Sequence, residues 1–144
     1  MNTTRNARPD LDASPVNVRI KLSALWASVM FCYIYADYFG LYVPGALQDI
    51  LAGQMGPLGP TTQGVLVGTS LMLAIPAVMI FLSVAVPAVV SRWLNIVVGV
   101  AYTAIILTTM WGWAFYRVYG VIEITLTSLV VWYAWRWPRA AANV

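Results

Sequence analysis

From Ile50 to Ser91 the chain runs for 42 residues without one charged side chain. A soluble domain is hard to build around such a stretch, because ordinary globular proteins carry a charge at about every fourth residue. A bilayer accommodates it. A helix rises about 1.5 Å per residue, so about 20 apolar residues cross a hydrocarbon core of about 30 Å. Four segments qualify: 22–43, interrupted only by Asp37; 64–86 and 94–115, both uncharged; and 118–135, interrupted only by Glu123. Pro76 in the second is tolerable, since neighbouring helices can satisfy the carbonyl it frees. The pattern predicts an all-α membrane protein, an antiparallel four-transmembrane-helix bundle forming one domain over 22–137. Polar tails flank it at 1–21 and 138–144.

Composition narrows the chemistry. Histidine is absent, which removes imidazole metal ligation and histidine-based nucleophile activation. Cys32 is the only cysteine, so one chain can form neither a disulfide nor a thiolate cluster, and it reads as a small packing residue. Lys21 is the only lysine and lies outside the apolar segments. A formal charge of +3 with no basic run argues against nucleic acid. No metal site, cofactor or catalytic residue set is expected. Acid–tyrosine pairs leave acid–base chemistry on a lipid-phase substrate open, but the reading leans away from an enzyme.

Only thirteen charges, eight basic and five acidic, serve the whole chain. Arg5, Arg8, Arg19 and Lys21 precede the first span, Arg92 lies between the second and third, and Arg136 and Arg139 follow the fourth. With four spans these seven share one side and only Arg117 falls on the other. The positive-inside rule then places both termini in the cytoplasm of a multi-pass inner-membrane protein. Trp26, Trp93, Trp132, Trp135 and Trp137 mark the inner interface, and Tyr38, Tyr42, Trp111, Trp113, Tyr116 and Tyr119 the outer one. The N-terminal tail lacks apolar periodicity and reads as disordered or surface-lying; the segment behind it is too long for a cleaved signal.

The outer connection, 44–63, is the one long link. Pro44, the helix formers 46–52 and Gly53 as a stop predict a short interfacial helix, and Thr61 or Thr62 can cap the second span. The other links are tight, so spans two to four are expected as successive antiparallel neighbours, with Asn95 capping the third.

Depth then brings three ionisable groups together. Asp37 lies six residues before the outer end of span one and Glu123 about five after the outer start of span four, with Arg117 at the same interface. Trp26, Met30, Tyr33, Asp37 and Gly40 make one helical stripe; Tyr116, Tyr119, Gly120, Glu123 and Thr127 make another. Intramembrane ionisable groups are costly and by default functional, so Asp37, Glu123, Arg117, Tyr33, Tyr119 and Thr127 are the candidate ligand or proton site. Thr69, Ser70, Thr108 and Thr109 add hydroxyls at that depth. Gly64, Gly68, Gly40 and Gly120 are candidate helix-packing positions, the first two as a small-x-x-x-small pair. The competing reading makes the same acids structural, hydrogen-bonded to tyrosines or paired with Arg117.

Several runs carry a resemblance: Tyr35-Ala36-Asp37-Tyr38, Leu41-Tyr42-Val43-Pro44-Gly45 with Ile50-Leu51-Ala52-Gly53, Ile75-Pro76-Ala77-Val78-Met79, and Arg92-Trp93-Leu94-Asn95-Ile96. Together, over about 21–137, they resemble a group of small bacterial four-span membrane proteins, the domain-of-unknown-function family numbered 6326. A more distant similarity is to DoxX-like membrane proteins. The resemblance implies an integral membrane protein and no assigned activity. Two functional expectations stand. In the first, an outward polar pocket binds a small or lipid-like ligand with proton coupling. In the second, the protein is a structural or accessory subunit that packs against a partner protein within the lipid bilayer. A homo-oligomer is a separate expectation about partners.

Overall fold

The computed structural model describes residues 15–137. Its elements are α1 (Val18–Gly40), α2 (Ala46–Leu51), α3 (Gln63–Ala85), α4 (Ala88–Thr109) and α5 (Ala114–Trp135), with a 3-10 turn at Gly56–Leu58. α1, α3, α4 and α5 are 22 or 23 residues long and apolar enough to cross a bilayer. They make the expected four-span, all-α architecture, and α2 is the short helix in the long connection. One end of the bundle holds the start of α1 and the close of α5 and is called the terminal end. The other holds the 41–62 connection and the turn between α4 and α5 and is called the loop end. Residues 1–14 and 138–144, which include most of both expected tails, lie outside the described residues.

Local chemistry explains the boundaries. The Asn17 side chain accepts the Arg19 N–H at 2.9 Å, so α1 begins ahead of Leu22, and it closes at Gly40 rather than at Val43. Thr62 caps α3 by accepting the Val65 N–H at 3.3 Å. α4 departs most from expectation: it starts at Ala88, six residues before Leu94, and ends at Thr109. Pro87 sets that start, since its fixed φ and missing N–H suit the edge of a helix. Arg92 is then carried inside the helix, its guanidinium 3.4 Å from the Trp135 carbonyl and over the Trp93 ring at 5.9 Å. Lys21 over Tyr133 and Arg136 over Trp132 form similar pairs at the same end, with the cations 5.2 Å and 4.1 Å from the ring centres.

Packing also revises the neighbour relations. α1 packs on both α3 and α5, and α5 packs on α4, whereas α3 and α4 touch far less than these three pairs although only two residues join them. Leu22, Trp26 and Val29 of α1 supply the large buried side chains, against Met79 of α3 and Val130 and Ala134 of α5. α1 and α5 therefore each pack closely on two neighbours, and a short link alone does not make two helices close partners.

Asn95 is not a cap. It is fully buried inside α4, where its Oδ1 accepts from Trp26 Nε1 at 2.7 Å and from Ser83 Oγ at 3.2 Å, while its Nδ2 donates to the Ser91 carbonyl at 2.8 Å. Ser91 in turn donates to the Ser83 carbonyl at 2.9 Å. This network ties α1, α3 and α4 together at the terminal end. Asn95→Ala leaves the buried indole N–H and the Ser83 hydroxyl without that acceptor, at an expected cost of about 1–3 kcal/mol in reversible unfolding in detergent. Unchanged stability would show that the network is dispensable.

Candidate functional site

Above the Asn95 network the bundle encloses a cavity of about 270 Å³ at the loop end. All four long helices contribute. α1 supplies Tyr33, Ala36 and Asp37; α3 supplies Thr69, Met72 and Leu73; α4 supplies Tyr102, Ile105, Ile106 and Thr109. α5 adds Tyr116, Tyr119, Gly120 and Glu123, and Met55, Leu58 and Met110 complete the wall from the connecting segments. Asp37 and Glu123 thus line one cavity although 86 positions separate them in the chain.

The helical stripes explain the convergence. On α5 the positions of Tyr116, Tyr119, Gly120 and Glu123 recur on one face, and the same spacing on α1 aligns Tyr33, Asp37 and Gly40. Gly40 lets the helices approach: a methyl added there would stand 3.0 Å from the Tyr116 hydroxyl. A methyl on Gly120 would meet Met110 Cβ at 2.7 Å, so the turn after α4 folds against α5 at that point. Phe39 stacks on Tyr119 with centroids 6.5 Å apart at 26°, and Tyr33 lies against Tyr102 at 6.5 Å. The Tyr102 hydroxyl donates to the Met72 carbonyl, bridging the otherwise sparse boundary between α4 and α3.

The two acids differ in setting. Both line the cavity, but Asp37 is exposed whereas Glu123 is only 5% exposed. Among the described residues neither carboxyl group has a hydrogen-bond partner; at Glu123 only the main-chain carbonyl is engaged, by Thr127 Oγ1 at 2.9 Å. An acid without a partner inside a bundle of membrane-spanning helices is costly to the fold.

Other anticipated residues fall elsewhere. Arg117 is exposed and does not line the cavity, because one residue along a helix is about 100° around it and Arg117 sits next to the Tyr116 stripe rather than on it. Thr127 is fully buried one turn below Glu123, with its hydroxyl 2.7 Å from that of Thr103, so it belongs to the α4–α5 contact and not to the cavity lining. Gly64 and Gly68 make no close helix contact within the chain: a methyl at Gly68 meets nothing within 4 Å, and one at Gly64 only its own cap, Thr62, at 3.9 Å. The tightest glycine on the α4–α5 contact is instead Gly99, where an added methyl would stand 2.8 Å from Val131 Cγ2. Its signal was present as Gly99-x-x-x-Thr103, a small-x-x-x-small pair of the kind read at 64–68. Tyr102 is the main lining residue that depth arguments passed over, since it lies deeper than the interfacial aromatics.

The architecture is that of a multi-pass integral membrane protein with a carboxyl- and tyrosine-lined cavity within one half of the bundle. The chain matches a family of unknown function, DUF6326, over residues 15–143 and belongs to it. No curated protein and no solved structure matches the chain.

Proposed function

We propose that this protein binds a small or lipid-like ligand in the loop-end cavity, with the loop end facing outward from the inner membrane and with a proton exchanged at the Asp37–Glu123 pair. The observation that carries the reading is Glu123, nine-tenths buried, without a hydrogen-bond partner among the described residues and set in the wall of the cavity. The other titratable groups facing it are Tyr33 and Asp37 from α1, Tyr102 from α4, and Tyr116 and Tyr119 from α5. Among the described residues no lysine or arginine lines the cavity, so charge there changes by a proton or by the ligand itself. Orientation rests on Arg19, Lys21, Arg92 and Arg136 at the terminal end, against Arg117 at the loop end.

The test is whether the acids can be removed without loss of the fold. Asp37→Asn and Glu123→Gln are each expected to give wild-type yield and a thermal midpoint in detergent no lower than wild type. Proton titration of the folded protein should then show one exchangeable group fewer in each. Unfolding of both variants would make the pair structural and overturn the reading. A reproducible unlike protein recovered by crosslinking in the native membrane, with binding at the cavity unaffected by either variant, would favour the accessory-subunit alternative.

A further inference from the structure

We infer that the occupant of this cavity is a small organic cation with an apolar body, such as a quaternary ammonium compound. The inference rests on the reading of the cavity as a ligand site and specifies what that site selects. Sign comes first: the wall carries the Asp37 and Glu123 carboxyl groups and, among the described residues, no basic side chain. Bringing an anion there would add like charge in a medium that screens weakly, whereas a cation offsets the cost of the buried Glu123 carboxylate.

Chemical class follows from the rest of the wall. Four tyrosines, Tyr33, Tyr102, Tyr116 and Tyr119, come from three helices, and aromatic faces attract organic cations through the ring quadrupole. A metal ion is a poor match: among the described residues no group of three or more metal-ligating side chains is brought together. The remaining surface is largely aliphatic, with Met72 offering a polarizable, adaptable contact for an apolar body. At about 270 Å³ the cavity lies at the lower edge of small-molecule sites, which run from about 300 to 1,000 Å³, so the occupant is small.

The purified full chain in a neutral detergent can be titrated calorimetrically with three probes of similar shape. These are benzyltrimethylammonium, the net-neutral benzyldimethylamine N-oxide and the anionic phenylmethanesulfonate. Saturable binding of the ammonium probe is expected, with the other two at least tenfold weaker. Glu123→Gln should weaken the ammonium probe at least tenfold, and Asp37→Asn, at the exposed side, serves as a second variant if the first folds poorly. Equal binding of the neutral probe, insensitive to either variant, would overturn the cation inference while leaving a ligand site in place. Ammonium binding that survives in both variants would lie elsewhere and also overturn it. No saturable binding by any probe would count against the inference and the ligand reading together.

Discussion

Replacing Glu123 by leucine is expected to stabilise the bundle by about 1–3 kcal/mol while abolishing binding at the cavity. The Glu123 residue is only 5% exposed, and its carboxyl group, at the cavity wall, has no hydrogen-bond partner among the described residues, so the fold does not offset the cost of placing it there. Leucine is of similar length, favours the helix and joins the aliphatic part of the cavity wall without stranding a polar group. A gain in stability on its removal would be the trade-off expected where a functional site opposes stability. Reversible unfolding in mixed micelles gives the first quantity and calorimetric titration the second. If Glu123→Leu unfolds the protein, the carboxyl is a structural anchor and the cavity assignment fails.

The largest destabilisation is expected at Gly99. Helices in lipid associate through close packing rather than through exclusion of water, so a glycine that admits a neighbouring helix has no substitute. A methyl there would press on Val131 Cγ2 at 2.8 Å and Val130 Cγ1 at 3.4 Å, and it would sit 3.5 Å from the Thr127 carbonyl. Valine is stiff at χ1 in a helix and Val130 is fully buried, so the strain falls on the α4–α5 spacing. Gly99→Ala should cost about 1–3 kcal/mol and Gly99→Leu more, enough to remove the monodisperse species in size-exclusion chromatography. Gly68→Leu is the control. Its open surroundings predict no loss of stability, and a gain of up to about 1 kcal/mol from the better helix former. The reverse order of effects would show that the helices do not pack as described.

The number of spans, the loop helix and the shared level of Asp37 and Glu123 were legible because each depends on a count of residues along one chain. Hydropathy counts fail where a charged side chain reaches sideways. Arg92 looked like a boundary, yet its long stem lets it sit inside α4 and reach the Trp135 carbonyl, so the helix starts six residues sooner. Asn95 looked like a cap for the same reason and is a buried crosslink. Adjacency was less accessible still: loop length pointed to α3 against α4, whereas the bulk of Leu22, Trp26 and Val29 puts α1 between α3 and α5. Within the site, periodicity alone separates Glu123, on the Tyr116 stripe, from Arg117, one residue off it. Depth had grouped the two. The small-residue pattern was also ambiguous, since Gly64-x-x-x-Gly68 and Gly99-x-x-x-Thr103 look alike and only packing shows which one is in contact.

The central claim, that Asp37 and Glu123 form one ligand-responsive carboxyl site, is tested most directly by counting protons. Weakly buffered protein near neutral pH is mixed with saturating benzyltrimethylammonium, and a pH indicator records the release for the wild type and for the Asp37→Asn/Glu123→Gln double variant. The account predicts release of a measurable fraction of a proton, at most about one, per bound cation from the wild type and none from the folded double variant. Cation binding with no proton released by the wild type, or with the same release from the double variant, would contradict it.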